Sequence, residues 1–174
     1  ETVWRQADKY KVPRLCFVNK MDKMGADYYM SLNSIRERLN PNAFAIQLPI
    51  GAEDTMRGVV DLLTQKAYEF QGNLPEEMKG DLEKYRAEAI ERIAECDDGL
   101  MEKYLEGIEP SLEELKKALR KGVIANQVFP VMAGTALQNI GVQMALDAVV
   151  DYLPSPLDIG SYTATDINDE GNTV

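Results

Sequence analysis

The sequence predicts an α/β fold, an open and largely parallel sheet carrying an α+β insert with a small antiparallel sheet and three helices. Three observations lead there. Two short apolar runs, residues 15–18 and 127–132, each end in a polar turn that leads into a helical pattern, the rhythm of buried parallel strands. Between them, residues 43–50, 58–63 and 66–70 read as closely spaced strands, the pattern of an antiparallel meander. From Pro75 to Leu119, apolar residues recur at intervals of three and four, the helical period.

Each element has a local reason. Residues 1–11 form a helix with Val3, Trp4, Ala7 and Tyr10 on one face, ended by Lys11-Val12-Pro13. Asp27 is placed to cap a helix that carries Tyr28, Leu32, Ile35 and Leu39 and stops at Asn40-Pro41. Residues 43–50 read as one strand with alternating faces, and 51–57 as a loop with acids. Gln71-Gly72-Asn73 reads as a turn, after which Pro75 opens a long helix. Its stripe of Met78, Leu82, Tyr85, Ala89, Ile93 and Cys96 reads as core. Asp97-Asp98-Gly99 breaks it, and a short helix with Leu100, Met101, Tyr104 and Leu105 runs to about Gly107. Ser111 and Glu114 have capping-box spacing ahead of Leu112, Leu115 and Leu119. Pro130 within 127–132 argues for an edge strand. The last helix carries Val142, Ala145, Leu146, Val149 and Leu153, followed by an extended Pro154-Ser155-Pro156 linker and an acidic stretch, 157–174, of weak structural signal.

Composition narrows the function. The 174 residues suit one domain or two small ones, and 45% hydrophobic content suffices for a core. No apolar run approaches a membrane span, and no signal peptide is evident. With no histidine, no Ser–His or Cys–His catalytic pair can be built. Cys16 and Cys96 lie far apart in apolar patterns and read as buried free thiols of a reducing compartment. The net charge of −10 is uneven. Residues 1–40 carry eight Lys/Arg against five Asp/Glu, 41–125 carry eleven against eighteen, and 126–174 carry none against six. The acidic middle is a poor phosphate binder. It suits a basic protein surface, although most single charges are simply solvated.

Two turns carry chemistry. Asn19-Lys20-Met21-Asp22 follows the strand at 15–18, at the carboxyl edge where open α/β sheets bind ligands. A carboxylate there accepts from both guanine N1–H and the N2 amino group, a charge-assisted pair. Adenine lacks matching donors, so the acid would stay unpaired and discriminate strongly. The Lys stem can lie along the base. The competing reading is an ordinary strand-end turn. The second turn, Gly134-Thr135-Ala136, also ends a strand, and its small side chains admit close backbone approach. Between Asp22 and Gly134 lie 111 residues, where two neighbouring strands of an α/β sheet need only a short helical crossover between them. Most of the intervening chain therefore reads as an insert. The expected boundaries are 1–40 and 126–156 for the sheet half, 41–125 for the inserted subdomain, and 157–174 for a linker toward a further domain.

The sequence resembles the bacterial elongation factor G family of translational GTPases over nearly its whole length. The resemblance rests on Glu1-Thr2-Val3-Trp4-Arg5-Gln6-Ala7, Val12-Pro13-Arg14, Phe17-Val18-Asn19-Lys20-Met21-Asp22, Ile50-Gly51-Ala52-Glu53, Gly58-Val59-Val60-Asp61-Leu62, Gly141-Val142-Gln143 and the run from Leu146 to Pro156. It is thinnest across 71–125. Thr135 and Leu137 depart from the family's Gly-Ser-Ala-Phe turn.

The resemblance implies the second half of a doubly wound P-loop GTPase domain, with its insert. Guanine would be bound by Asn19, Lys20, Asp22, Thr135, Ala136 and Leu137, with the Ala136 N–H offered to guanine O6. The full-length parent would be a ribosome-dependent GTPase promoting translocation of tRNA and mRNA. It would use GTP and GDP, with Mg²⁺ held by residues this sequence lacks. The sequence contains no G-x-x-x-x-G-K-[ST] loop, and the family's switch segments and catalytic His are absent. The fragment alone is therefore expected to hold no cofactor, catalytic residue or metal, and neither to hydrolyse GTP nor to bind GDP tightly.

The insert is expected to contact the ribosomal stalk protein, with Glu88, Glu91 and Glu95 as candidate docking residues. The setting would be cytoplasmic, with no membrane and no specific DNA as partner. Self-association through an exposed sheet edge is expected. The alternatives are a non-catalytic protein-docking module and a fragment of a ribosomal-protection tetracycline-resistance GTPase or of the peptide-release GTPase.

Overall fold

The computed structural model describes residues 1–68 and 75–159, together with the backbone of a hairpin formed by Thr165–Asp166 and Asp169–Thr173. The turn expected at Gln71-Gly72-Asn73 and the end of the strand expected over 66–70 lie outside the described residues.

The chain is mixed α/β, with a parallel sheet and a smaller antiparallel one. Helix α1 (Thr2–Lys9) leads to β1 (Cys16–Val18), and α2 (Tyr28–Arg38) follows. Asp27 caps α2 by accepting from the Met30 N–H at 2.9 Å. Then come β2 (Ala43–Ala45), β3 (Gln47–Ile50), β4 (Gly58–Asp61) and β5 (Ala67–Tyr68). Helices α3 (Met78–Ala94), α4 (Asp98–Leu105) and α5 (Leu112–Ile124) precede β6 (Phe129–Ala133) and α6 (Val142–Tyr152). One sheet has the order β1-β6-β2, all parallel; the other is the meander β3-β4-β5.

The expected single strand over 43–50 is two strands in two sheets. Ile46 is the changeover. Its N–H donates to the Val131 carbonyl of the parallel sheet at 3.0 Å, and its own carbonyl accepts from Leu62 at 2.9 Å on the antiparallel side. Every residue from Ala43 to Ile50 is buried. The alternation visible in sequence therefore distinguishes two packed faces, which cannot reveal a change of partner.

Pro130 lies in the central strand, β6, not at an edge. Strand backbones turn alternate N–H groups to opposite sides. Phe129 donates toward β2, to the Asn42 carbonyl, and Gly134 toward β1, to the Val18 carbonyl. Residue 130 thus faces the β1 side, one position before that pairing begins at Cys16 and Val131. The missing N–H falls where no ladder bond is required.

Two cores cover the parallel sheet, sorted by the period of two. Phe44, Ile46, Val128 and Met132 join Ala89, Ile93, Leu100, Leu115, Leu119, Val123, Ala148 and Tyr152. Ala43, Ala45, Phe129, Val131 and Ala133 join Met21, Tyr28, Leu32, Leu48, Val59 and Tyr85. The stripe of α3 thus serves both. Arg36 binds the partners together. Its Nε donates to the Ala43 carbonyl at 2.8 Å, and its guanidinium pairs with Glu88 on α3.

Burial refines the reading of both outer helices and corrects that of one cysteine. On α6 the buried residues are Ala148 and Tyr152, while Leu146 and Val149 are exposed; the helix turns its i, i+4 pair, not its full apolar stripe, toward α5. On α1 no residue is fully buried, and Val3 is 78% exposed. That helix touches the sheet through Trp4, whose ring meets Phe129 edge-on at 5.0 Å. Cys16 is half-buried, whereas Cys96 is buried as expected.

The expected capping box at Ser111 and Glu114 is present. Lys103, Ser111 and the Ser111 backbone together lower the Glu114 carboxyl to about 2. Of the expected linker, Pro154 and Ser155 lie outside regular structure, while Pro156 opens a single helical turn, Pro156–Ile159. Proline fits a first helical position because its missing N–H has no partner there. Asp158 secures the turn by accepting from Ser155 and pairing with Arg120 at 2.7 Å.

Candidate functional site

The carboxyl ends of β1 and β6 lie side by side, paired Val18 to Ala133, so the turns following them meet. The Gly134 N–H donates to the Val18 carbonyl at 3.1 Å, and the Met21 N–H to the Gly134 carbonyl at 3.2 Å. Glycine is needed at 134. A Cβ there would lie 2.3 Å from the Ile140 carbonyl oxygen and 2.6 Å from Phe17 Cζ. Thr135 and Ile140 exchange backbone hydrogen bonds at 3.0 and 3.1 Å, closing the second turn. Gly141 then reverses the chain with φ +76°, its Cα hydrogen facing the Ala133 carbonyl where a Cβ would stand at 2.5 Å.

Two side-chain bonds join the turns. Asn19 Oδ1 accepts from the Lys20 N–H at 2.8 Å and from the Ala136 N–H at 3.0 Å. The Thr135 hydroxyl donates to Asp22 Oδ1 at 2.6 Å. Lys23 pairs with Asp22 Oδ2 at 2.9 Å. The Asp22 side chain is 4% exposed. The Thr135 hydroxyl, followed by Lys23, holds its carboxyl below the ordinary value of 3.8 and so keeps it ionised. Both oxygens thus have protein partners, Thr135 on Oδ1 and Lys23 on Oδ2. The carboxylate sits at the sheet's carboxyl edge, where open α/β sheets bind ligands.

Lys20 adopts a left-handed backbone, φ +64°, and its side chain is exposed beside Asp22. Leu137 lies on a single 3₁₀ turn, Ala136–Gln138, and is 83% exposed. Asn19, Lys20, Asp22, Thr135, Ala136 and Leu137 therefore all lie on the two adjoining turns. The Ala136 N–H expected for a base is here given to Asn19.

Glu88, Glu91 and Glu95 lie along α3, and they differ. Glu88 is half-buried in its pair with Arg36. Glu95 pairs with Arg92 at 3.3 Å, and Glu91 is exposed. Among the described residues no group of three or more His, Cys, Asp or Glu is arranged to hold a metal ion, and no helix is long and apolar enough to cross a membrane.

Sequence reasoning missed two residues at this site. Lys23 was one residue beyond the motif. Glu53 ends the resembling Ile50–Glu53 run but was given no role at the site, yet its N–H donates to the Met21 carbonyl at 2.8 Å. Its carboxylate accepts from the Gly25 N–H at 2.6 Å.

Known proteins resemble this chain in sequence and fold. Residues 1–155 match the family described as the elongation factor Tu GTP binding domain. Elongation factor G 1 of Bdellovibrio bacteriovorus is 52% identical over 176 aligned positions, covering 95% of this chain and 25% of that protein. A crystal structure from Thermus thermophilus superposes with a TM-score of 0.83 at 33% identity, over 93% of this chain and 25% of that one. The chain thus spans about a quarter of the length of these relatives. With the family matched over most of its length, this chain belongs to the elongation factor Tu GTP binding domain family.

Proposed function

We propose that this chain is the guanine-recognising half of the GTPase domain of an elongation factor G, a GTPase that drives tRNA and mRNA movement on the ribosome. One observation carries the reading. Turns more than a hundred residues apart in sequence are locked together by Asn19 to Ala136 and Thr135 to Asp22, presenting an ionised carboxylate at the sheet's ligand-binding edge. Elongation factor G 1, which is 52% identical, supports the translational setting.

In this reading Asp22 accepts from guanine N1–H and N2. The Lys20 stem lies along the base, and Asn19 ties the turns. A bound base competes with Asn19 for the Ala136 N–H, so O6 recognition trades one hydrogen bond for another. The 3₁₀ turn bearing Leu137 borders the base. GTP is the substrate of the full-length protein. This sequence supplies no phosphate-binding loop, and base contacts alone forfeit most of the binding energy of the nucleotide. The exposed acidic side of α3, with Glu91 and Glu95, suits docking to a basic surface of the ribosomal stalk protein.

Asp22→Asn in the full-length protein tests the assignment. An amide can donate to the O2 of xanthine where the carboxylate cannot. Preference should move from GDP to XDP by at least about a hundredfold, the scale of discrimination by buried polar groups. Competitive nucleotide binding measures it, and an unchanged GDP preference removes Asp22 as the base reader.

A further inference from the structure

The loop between β3 and β4 folds back over the Asn19–Asp22 turn, and its contacts there are specific. Met21 is held from both sides, its N–H by the Gly134 carbonyl and its carbonyl by the Glu53 N–H. Four residues on, the Gly25 N–H donates to the Glu53 carboxylate. Glu53 therefore fixes the turn at two points that bracket Asp22, one through its backbone and one through its side chain. Met21 itself is 2% exposed and belongs to the core shared by α2, β3 and β4.

The loop is pre-shaped for this contact. Glu53 has φ +53°, a left-handed conformation uncommon outside glycine. Gly51 has φ +83°, and a Cβ there would stand 2.0 Å from the Thr55 carbonyl oxygen. The Thr55 hydroxyl accepts from the Ala52 N–H at 3.1 Å and donates to the Ala52 carbonyl at 2.6 Å, closing the turn around Glu53. Backbone held in a sparsely populated region persists where its surroundings over-determine it. Here those surroundings include the candidate base-reading turn.

We propose that Glu53 is a positioning residue for base recognition, a clamp by which the antiparallel sheet sets the direction of the Asp22 carboxylate. This rests on Asp22 reading the base. The clamp also gives the insert a physical route to the nucleotide, because any shift of β3 and β4 moves the Glu53 end of both bonds. By linkage, a partner that pulled on this sheet would alter base affinity, and the base would alter the partner's affinity equally.

The test uses the full-length protein and fluorescent GDP, with IDP as competitor. IDP lacks the N2 amino group, so the GDP-to-IDP ratio reports how well the carboxylate is aimed. Glu53→Ala should speed GDP release about tenfold, the scale of one charge-assisted hydrogen bond, and should narrow the GDP-to-IDP ratio severalfold. Glu53→Gln, whose amide oxygen can still accept from Gly25, should stay within about threefold of the parent. Glu53→Asp keeps the charge on a shorter arm and should behave like alanine; it carries the test if the alanine variant does not fold. A ratio unchanged in both Glu53→Ala and Glu53→Asp overturns the proposal. So does an equal loss of GDP and IDP affinity accompanied by a lower melting temperature of the nucleotide-free protein. Asp22→Asn run alongside separates the two readings. If it switches the preference to XDP while the Glu53 variants are silent, only the clamp fails. If it leaves the preference unchanged, the base-reading assignment itself fails.

Discussion

The chain passes from one sheet to the other at Ile46, and the two sheets are specified in different ways. In the antiparallel sheet each strand pairs with its neighbour in sequence, Gln47 with Asp61 and Val59 with Tyr68. In the parallel sheet Cys16 pairs with Val131, more than a hundred residues away. Local pairing costs little loop-closure entropy and is written in its own segment; distant pairing must be stabilised by what packs on it. The candidate site belongs to the second kind. Its turns are brought together by the β1–β6 ladder and not by any local signal. The difference would matter less if the sheets were separable, and the shared core says they are not.

The largest expected effect tests that. Phe44 on β2 is 1% exposed and packs with Leu63, α3, α5 and α6. Phe44→Ala should cost about 3–5 kcal/mol, the scale of emptying a buried aromatic site. Urea unfolding should remain a single transition for fluorescence and circular dichroism. Two separated transitions would show that the antiparallel part folds alone. A smaller effect is expected of Glu88→Lys. It removes the Glu88 partner of Arg36 while leaving the Arg36 bond to the Ala43 carbonyl, and should cost about 1–2 kcal/mol at neutral pH.

Thr135→Val acts on the junction of the two turns and is read through pH. The Asp22 pKa is depressed in the folded state, chiefly by the Thr135 hydroxyl. Its contribution to stability is fully present above the ordinary value of 3.8 and is lost as the pH falls through the depressed folded value. Without the hydroxyl, the folded value should rise toward 3.8. The stability curve should then flatten on its acid side. An NMR titration of the Asp22 carboxyl carbon measures the shift directly, and an unmoved titration would assign the depression to Lys23.

The parts of the fold that were legible in the sequence are those with local causes. Asp27 as a cap, the Ser111 and Glu114 box, and the stripe of α3 each depend on residues within a few positions. The Asn19–Asp22 turn could be found because its residue types are chemically specific. The split at Ile46 could not, since both sides of the changeover are buried and alternate alike. Pro130 misled because its cost depends on which neighbour its backbone faces, a property of register and not of composition. Glu53 stood in the resembling Ile50–Glu53 run, but its contact was hidden for the same reason. A glutamate in a loop carries no sign that its carboxylate reaches Gly25 on another element.

Glu91→Lys is the smallest expected change in stability and the cleanest probe of the proposed docking face. Glu91 is exposed on the same helix as Glu88, whereas Glu88 holds Arg36. Reversing the charge at 91 should alter stability by no more than about 0.5 kcal/mol, as at ordinary surface positions. If α3 docks a basic partner, binding of the purified stalk protein should nonetheless weaken severalfold at low salt, and less at high salt as screening grows. Glu88→Lys would weaken docking too, but with a loss of stability that makes the cause ambiguous. A titration in which Glu91→Lys binds like the parent at low salt would reduce the acidity of α3 to a solvated face, leaving its buried stripe as the reason for the helix.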